Sequence, residues 1–336
     1  MENGQHNGLI KGSSKGSYDG LSEGYHNFLT NRWNSIDPND ISDPRYKPVF
    51  YVNADNCATV NNAATILYNQ MGKTSNDIFP PYENIFTQAG VSLTPPLVKG
   101  GLGGKNYLDF ASNLSYYMLS ADVLTSPLYY STTSPNIGSG RGFTYMFIVK
   151  RKQGGTYTIL DGRDSSAIPT TNDILLEVNS DGRITFELCG GSSGSVTRLV
   201  GTSGVNLLND WSILTCKHQL RFDGGGYPNT NATIGNKFYG NPSGNKVGNN
   251  SCALELYVNG VEQPKIITTS TYTNADFNND GSYRMFNRQI AIGNRASSYA
   301  TSGSYIAAVL MIPAYIDRAL QAKLENYFRF YYNRPF

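Results

Sequence analysis

From Gly142 onward the chain alternates short apolar runs with clusters of Gly, Asn, Asp and Pro. Phe143–Lys150, read FTYMFIVK, is the strongest run and Tyr157–Leu160 follows it. Both read as strands, because aromatic and β-branched side chains suit a pleated surface. Ile174–Val178 and Ile184–Leu188 flank Asn179-Ser-Asp-Gly182. Asp-Gly between two apolar runs predicts a hairpin, since both residues tolerate positive φ. Trp211–Cys216 comes next, then Ala253–Val258 running into the second turn signal, Asn259-Gly260. Gln289–Ile292 and Tyr305–Ile312 complete the set, and Asp223–Asn250 reads as a long polar surface loop. Short strands separated by turn signals predict an all-β fold, an antiparallel two-sheet β-sandwich.

The period changes only at the end of the chain. Pro313 stops the last strand, Asp317 is placed to cap a helix over 316–332, and Leu320, Leu324, Tyr327, Phe328 and Tyr331 recur at helical spacing. Arg318, Lys323 and Glu325 are expected off that face, and the helix is expected to close one end of the sandwich core.

Upstream the signals are weaker. Pro48–Val52 reads as a strand that needs a partner sheet, so residues 46–336 are taken as one sandwich domain, while Ala54–Met71 mixes strand and helix signals. The Gly100–Gly104 loop invites a phosphate-binding reading, but a strand rather than a helix follows it, at Tyr107–Phe110, and the reading is rejected. Residues 1–45 form an extended polar arm with Gly at positions 4, 8, 12, 16, 20 and 24 and scattered apolar anchors such as Leu9, Tyr25, Phe28 and Trp33. Such an arm either orders against a partner or has no fixed structure of its own.

Composition agrees with a globular β-rich chain: 12% aromatic residues, 24 Tyr and 35 Gly, with charged residues at only 15%. The net charge of +2 and the lack of a Lys/Arg run argue against nucleic-acid binding. Cys57, Cys189, Cys216 and Cys252 are widely spaced, which suits free thiols better than zinc, with a Cys189–Cys216 bridge left open. The N-terminus has no apolar segment of a secretory signal, and no run approaches the roughly 18 residues of a membrane span. The expectation is a soluble chain outside Sec-type export. The sequons at Asn113, Asn231 and Asn249 then carry no meaning.

Several small motifs, in order, resemble those of the concanavalin A-like / laminin-G jelly-roll superfamily, as found in viral (phage) structural proteins. They are Leu97–Gly100 through Tyr107–Phe110, Phe143–Val149, Asn179–Ile184, Trp211–Thr215, Leu256-Tyr-Val-Asn-Gly260, Ile292-Gly-Asn294, and Ile306–Ile312 with Asp317-Arg-Ala-Leu320. The resemblance implies a jelly-roll sandwich of concanavalin A-like type. It leaves function open, because that fold hosts lectins, glucanases, adhesion modules and viral proteins.

Catalysis finds little support in the sequence. The E-x-D-x-x-E strand that such glucanases share is absent, and the nearest approach, Glu177 with Asp181, spans a turn. His6, His26 and His218 are the only histidines, and His218 reads as a strand-end residue. The resemblance brings calcium into view, with Asp161, Asp164 and Asp173 as candidate ligands between two strands, although the D-x-D-x-D-G spacing is lacking. For glycan contact, Tyr129, Tyr130 and Tyr299 are the chosen candidates, among an available set that also holds Tyr116, Tyr117 and Tyr305. The function expected is a non-catalytic virion structural protein: a capsid decoration, fibre or appendage component, oligomeric or part of an assembly. Its arm would contact other virion proteins and its sandwich would attach to host-surface glycans. The alternatives are a free carbohydrate-binding or adhesion module and, third, a diverged polysaccharide-active enzyme.

Overall fold

A computed structural model of the chain describes residues 34–43, 46–48, 50–71, 84–88, 93–113, 116–120, 130–131, 142–151, 155–161, 174–180, 182–190, 195–201, 210–222, 238–239, 250–263, 265–270, 282–283, 290–293, 302–312 and 314–336. Strand Gly142–Lys150 shows what its unbroken apolar run is for. Phe143, Tyr145, Phe147 and Val149 enter one hydrophobic core while Met146 and Ile148 enter another, so both faces of the strand are buried. Tyr305–Ile312 and the first half of Ser212–Phe222 divide their side chains in the same way. These three strands lie side by side at the centre of a nine-stranded sheet.

In lateral order that sheet runs Phe238–Tyr239, Asn250–Val258, Ser212–Phe222, Gly142–Lys150, Tyr305–Ile312, Lys105–Asp109 and Leu97–Leu102. Phe50–Asn53 pairs with Tyr305–Ile312, which gives the upstream apolar run its partner. The facing eleven-stranded sheet runs Lys265–Ser270, Ser195–Gly201, Ile184–Gly190, Ile174–Val178, Tyr157–Asp161, Ala291–Gly293, Tyr117–Ser120, Asn84–Gln88, Ala63–Tyr68 and Cys57–Val60. Among the described residues, the one departure from antiparallel pairing in these sheets is Ser302–Gly303, which lies parallel to Tyr157–Asp161. The expected two-sheet β-sandwich is therefore the observed architecture, and strands from Phe50 to Ser120 enter both sheets.

Local chemistry explains the turns. Asn259 and Gly260 both take positive φ and close the hairpin between Asn250–Val258 and Val261–Glu262. The ambiguous stretch Ala54–Met71 resolves into a second such hairpin through Asn61 and Asn62. The Gly-rich Gly100–Gly104 loop is neither a phosphate cradle nor a helix start: Gly103 and Gly104 turn strand Leu97–Leu102 back into Lys105–Asp109.

Three expectations need correction. The helix, Arg318–Tyr331, does not close an end of the core but crosses the outer face of the nine-stranded sheet, so the molecule has three layers. Leu324, Phe328 and Tyr332 pack there on Tyr51, Met146, Ile148, Ile213, Leu310 and Ile312. The physical reason is that the central strands are apolar on both faces and their outer face needs its own cover. Truncating Phe328 alone would cost about 3–5 kcal/mol by the usual scale for buried aromatics. Glu325 is not off the packed face but buried, as described below. Cys189 and Cys216 belong to strands of different sheets, and Cys216 is a free buried thiol, so the open Cys189–Cys216 bridge does not form.

Residues 34–41, within the stretch read as an arm, lie over the helix. Ile36 N–H donates to the Lys323 carbonyl at 3.3 Å, and Ile41 and Pro38 are buried. The rest of the predicted arm, residues 1–33, lies outside the described residues. Among the described residues no helix is long and apolar enough to cross a membrane.

Candidate functional site

The outer face of the nine-stranded sheet carries two polar regions with different characters. The first is sealed. Lys217 and Glu255 pair across their strands with Nζ 3.2 Å from Oε2, and neither is exposed by more than 1%. Tyr257 and Tyr315 donate their hydroxyls to Glu255, Tyr315 at 2.6 Å, and Lys217 also donates to the Ile316 carbonyl at 3.2 Å. The Lys217 ammonium sits over the rings of both tyrosines. Burial pushes Glu255 upward, but the two hydroxyls and Lys217 outweigh it and hold the carboxyl down to about 2. Glu325 is buried beside this group, accepting from Gln321 Nε2 at 2.8 Å and pairing with Arg329 at 3.5 Å. With no open face, this network anchors the helix and offers no place for a ligand.

The second region is only partly buried. Along the end of the sheet that carries Lys150, the register lays Asp109, Tyr305 and Lys150 in one lateral row on three adjacent strands. Alternation puts Tyr107 on the same face as Asp109, two residues away. Its ring lies 5.7 Å from Tyr305 at 83° and 5.0 Å from Trp211 at 63°. At Gly101 a Cβ would overlap the Tyr107 ring, so the missing side chain sets where that ring lies. Trp211 is buried, whereas Tyr107 and Tyr305 are half-buried.

Charges frame this aromatic corner. Asp109 Oδ1 accepts the backbone N–H groups of Ala111 and Ser112, both at 2.9 Å, which fixes the carboxylate in place. Burial and then the Asp109 charge push both tyrosine hydroxyls above their usual range. On the other side, Arg334 pairs with Asp210. Burial raises Asp210, but the Trp211 N–H, Arg334 and Lys150 more than offset this and hold it below the usual carboxylate range.

The sequence candidates fall elsewhere. Asp161 is fully buried in its strand, between Ala291 and Leu175 on the neighbouring strands, while Asp164 and Asp173 lie outside the described residues. Among the described residues no three His, Cys, Asp or Glu side chains are grouped to hold a metal. Tyr129 and Tyr299 lie outside the described residues, and Tyr130 is described only through its backbone pairing with Tyr283. Tyr117 is half-buried and Tyr116 packs against the inner core. His218 is not at a strand end but inside Ser212–Phe222, opposite Phe143 and Leu254, because that strand continues past Cys216 to Phe222. Sequence reasoning missed Tyr107, whose signal was its alternation with Asp109 after a glycine loop.

No protein-family model matches the chain. No curated protein matches it either. Solved structures do. The chain is similar to the botulinum neurotoxin serotype D binding domain, with a TM-score of 0.43 and 10% identity over 84% of this chain and 51% of that one. It is also similar to the binding domain of Paraclostridial Mosquitocidal Protein 1, with a TM-score of 0.43 and 13% identity over 83% and 51%. The NanB sialidase from Streptococcus pneumoniae matches at a TM-score of 0.33 and 14% identity over 53% and 23%. The chain thus spans about half the length of the two binding domains. Similarity of this degree says nothing of function.

Proposed function

We propose that the protein is a carbohydrate-binding β-sandwich that works by recognition rather than bond cleavage, displayed on a larger assembly such as a virion surface. The observation that carries the reading is the corner of Tyr107 and Tyr305 over Trp211, with Asp109 fixed beside it. Sugars offer an apolar C–H face to an aromatic ring and hydroxyls to a carboxylate, and this corner supplies both partners. Recognition is favoured over hydrolysis because Asp210, a further carboxylate among the described residues at this end, is paired with Arg334 and held below the usual carboxylate range. A general acid must instead hold its proton near neutral pH. The virion setting rests on the polar, Gly-spaced residues 1–33 and on the low-charge Gly-, Asn- and Tyr-rich composition.

A glycan array probed with the wild type, Tyr107→Ala and Tyr305→Ala tests the reading. Each substitution is expected to abolish signal on the glycans that the wild type binds, and unchanged signal would refute the assignment. Sedimentation of the native source material tests the setting, since a chain found only as a free monomer contradicts assembly. Reducing-sugar release from a polysaccharide panel tests the absence of catalysis.

A further inference from the structure

The geometry points to the ligand class: we infer that the corner takes one neutral hexose unit, at a chain end or branch, and discriminates against carboxylated sugars and flat polysaccharide surfaces. This rests on the carbohydrate reading above. The first argument is the ring geometry. Tyr107 and Tyr305 stand at 83° with centroids 5.7 Å apart, so a pyranose stacked on one ring meets the edge of the other. Rings that follow a flat polymer must be coplanar, so that successive sugars lie on successive faces; two perpendicular rings in contact leave space for one sugar. Trp211, at 63° to Tyr107 and buried, backs the corner rather than extending it.

The second argument is charge. Asp109 commits Oδ1 to the Ala111 and Ser112 N–H groups, which leaves Oδ2 to accept hydrogen bonds from sugar hydroxyls. An acceptor-only group suits a ligand rich in hydroxyl donors and repels a second carboxylate. Lys150 stands on the far side of Tyr305 from Asp109, two strand spacings or about 10 Å away, and Arg334 is already paired with Asp210.

Titration calorimetry on the full chain, with methyl glycosides of neutral hexoses and of the matching hexuronic acids, gives the direct comparison. Pull-down on insoluble cellulose and chitin supplies the flat-surface arm. The neutral glycoside should bind about tenfold tighter than its uronate partner, with no retention on either solid. Asp109→Asn should remove that preference and leave thermal unfolding unchanged, because the amide oxygen still accepts from Ala111 and Ser112. Equal or tighter uronate binding, or retention on the solids, overturns the inference while the carbohydrate reading stands. Binding of no carbohydrate at all, or binding indifferent to Tyr107→Ala and Tyr305→Ala, overturns both.

Discussion

Lys217 and Glu255 occupy directly opposed positions on neighbouring strands, 3.2 Å apart and shut away from water beneath the start of the C-terminal helix. A buried ion pair of this kind offsets its desolvation only while both partners and their hydrogen bonds are present. Lys217→Met leaves a buried carboxylate held by two tyrosines, and Glu255→Gln leaves an ammonium without its counter-charge. Either single change should destabilise the fold by about 3–5 kcal/mol. The double variant should lose less than the sum of the two, by about 1–3 kcal/mol, in urea unfolding. Strict additivity would show that the pair is not coupled.

Acid should release the same network. Glu255 ordinarily titrates near 4.5 and is lowered to about 2 in the fold. A depressed carboxyl contributes stability that is complete above its unfolded value and lost as pH falls through the folded one. Stability should therefore decline between pH ~4.5 and ~2, by on the order of 3 kcal/mol from this group. Glu255→Gln should flatten that part of the curve, as read from denaturation midpoints at stepped pH.

The helix start offers a smaller and cleaner test. Asp317 Oδ1 accepts the Leu320 N–H at 2.7 Å, one of the donors that the first turn cannot satisfy for itself. Asp317→Ala should cost about 1 kcal/mol, measured by thermal or urea unfolding, and Asp317→Asn should recover most of it.

Much of this fold was legible because strand and turn chemistry are local. Phe143–Lys150, the Asn179–Gly182 turn and the Asn259-Gly260 turn need only their own residues to be recognised, and all three are present. The helix position was not legible, since periodicity gives the apolar face of Leu324 and Phe328 but not the surface that will meet it. The clue was that Tyr305–Ile312 is apolar at every position, more than a strand with one wet face requires. Glu325 was misplaced because the sheet residue it meets, Thr215, lies far away in sequence. The same distance hid the aromatic corner: Tyr107, Trp211 and Tyr305 come from three well-separated segments that only sheet pairing brings together.

The glycines of the Leu97–Leu102 hairpin separate folding from recognition. At Gly103, φ is +56° and a Cβ would overlap the Tyr332 backbone carbonyl, an atom that cannot yield without moving the helix end. Gly103→Ala should therefore destabilise the whole fold, by about 1–3 kcal/mol. Gly101 differs, because the overlap there is with the side chain of Tyr107 and its backbone does not take the left-handed conformation. Gly101→Ala should displace the Tyr107 ring and leave the sheet paired. Urea midpoints should stay close to wild type while carbohydrate binding falls to the level of Tyr107→Ala. Near-ultraviolet circular dichroism should report the altered packing of Tyr107 against Trp211. Wild-type binding by Gly101→Ala would mean that the Tyr107 ring position is not what the ligand reads.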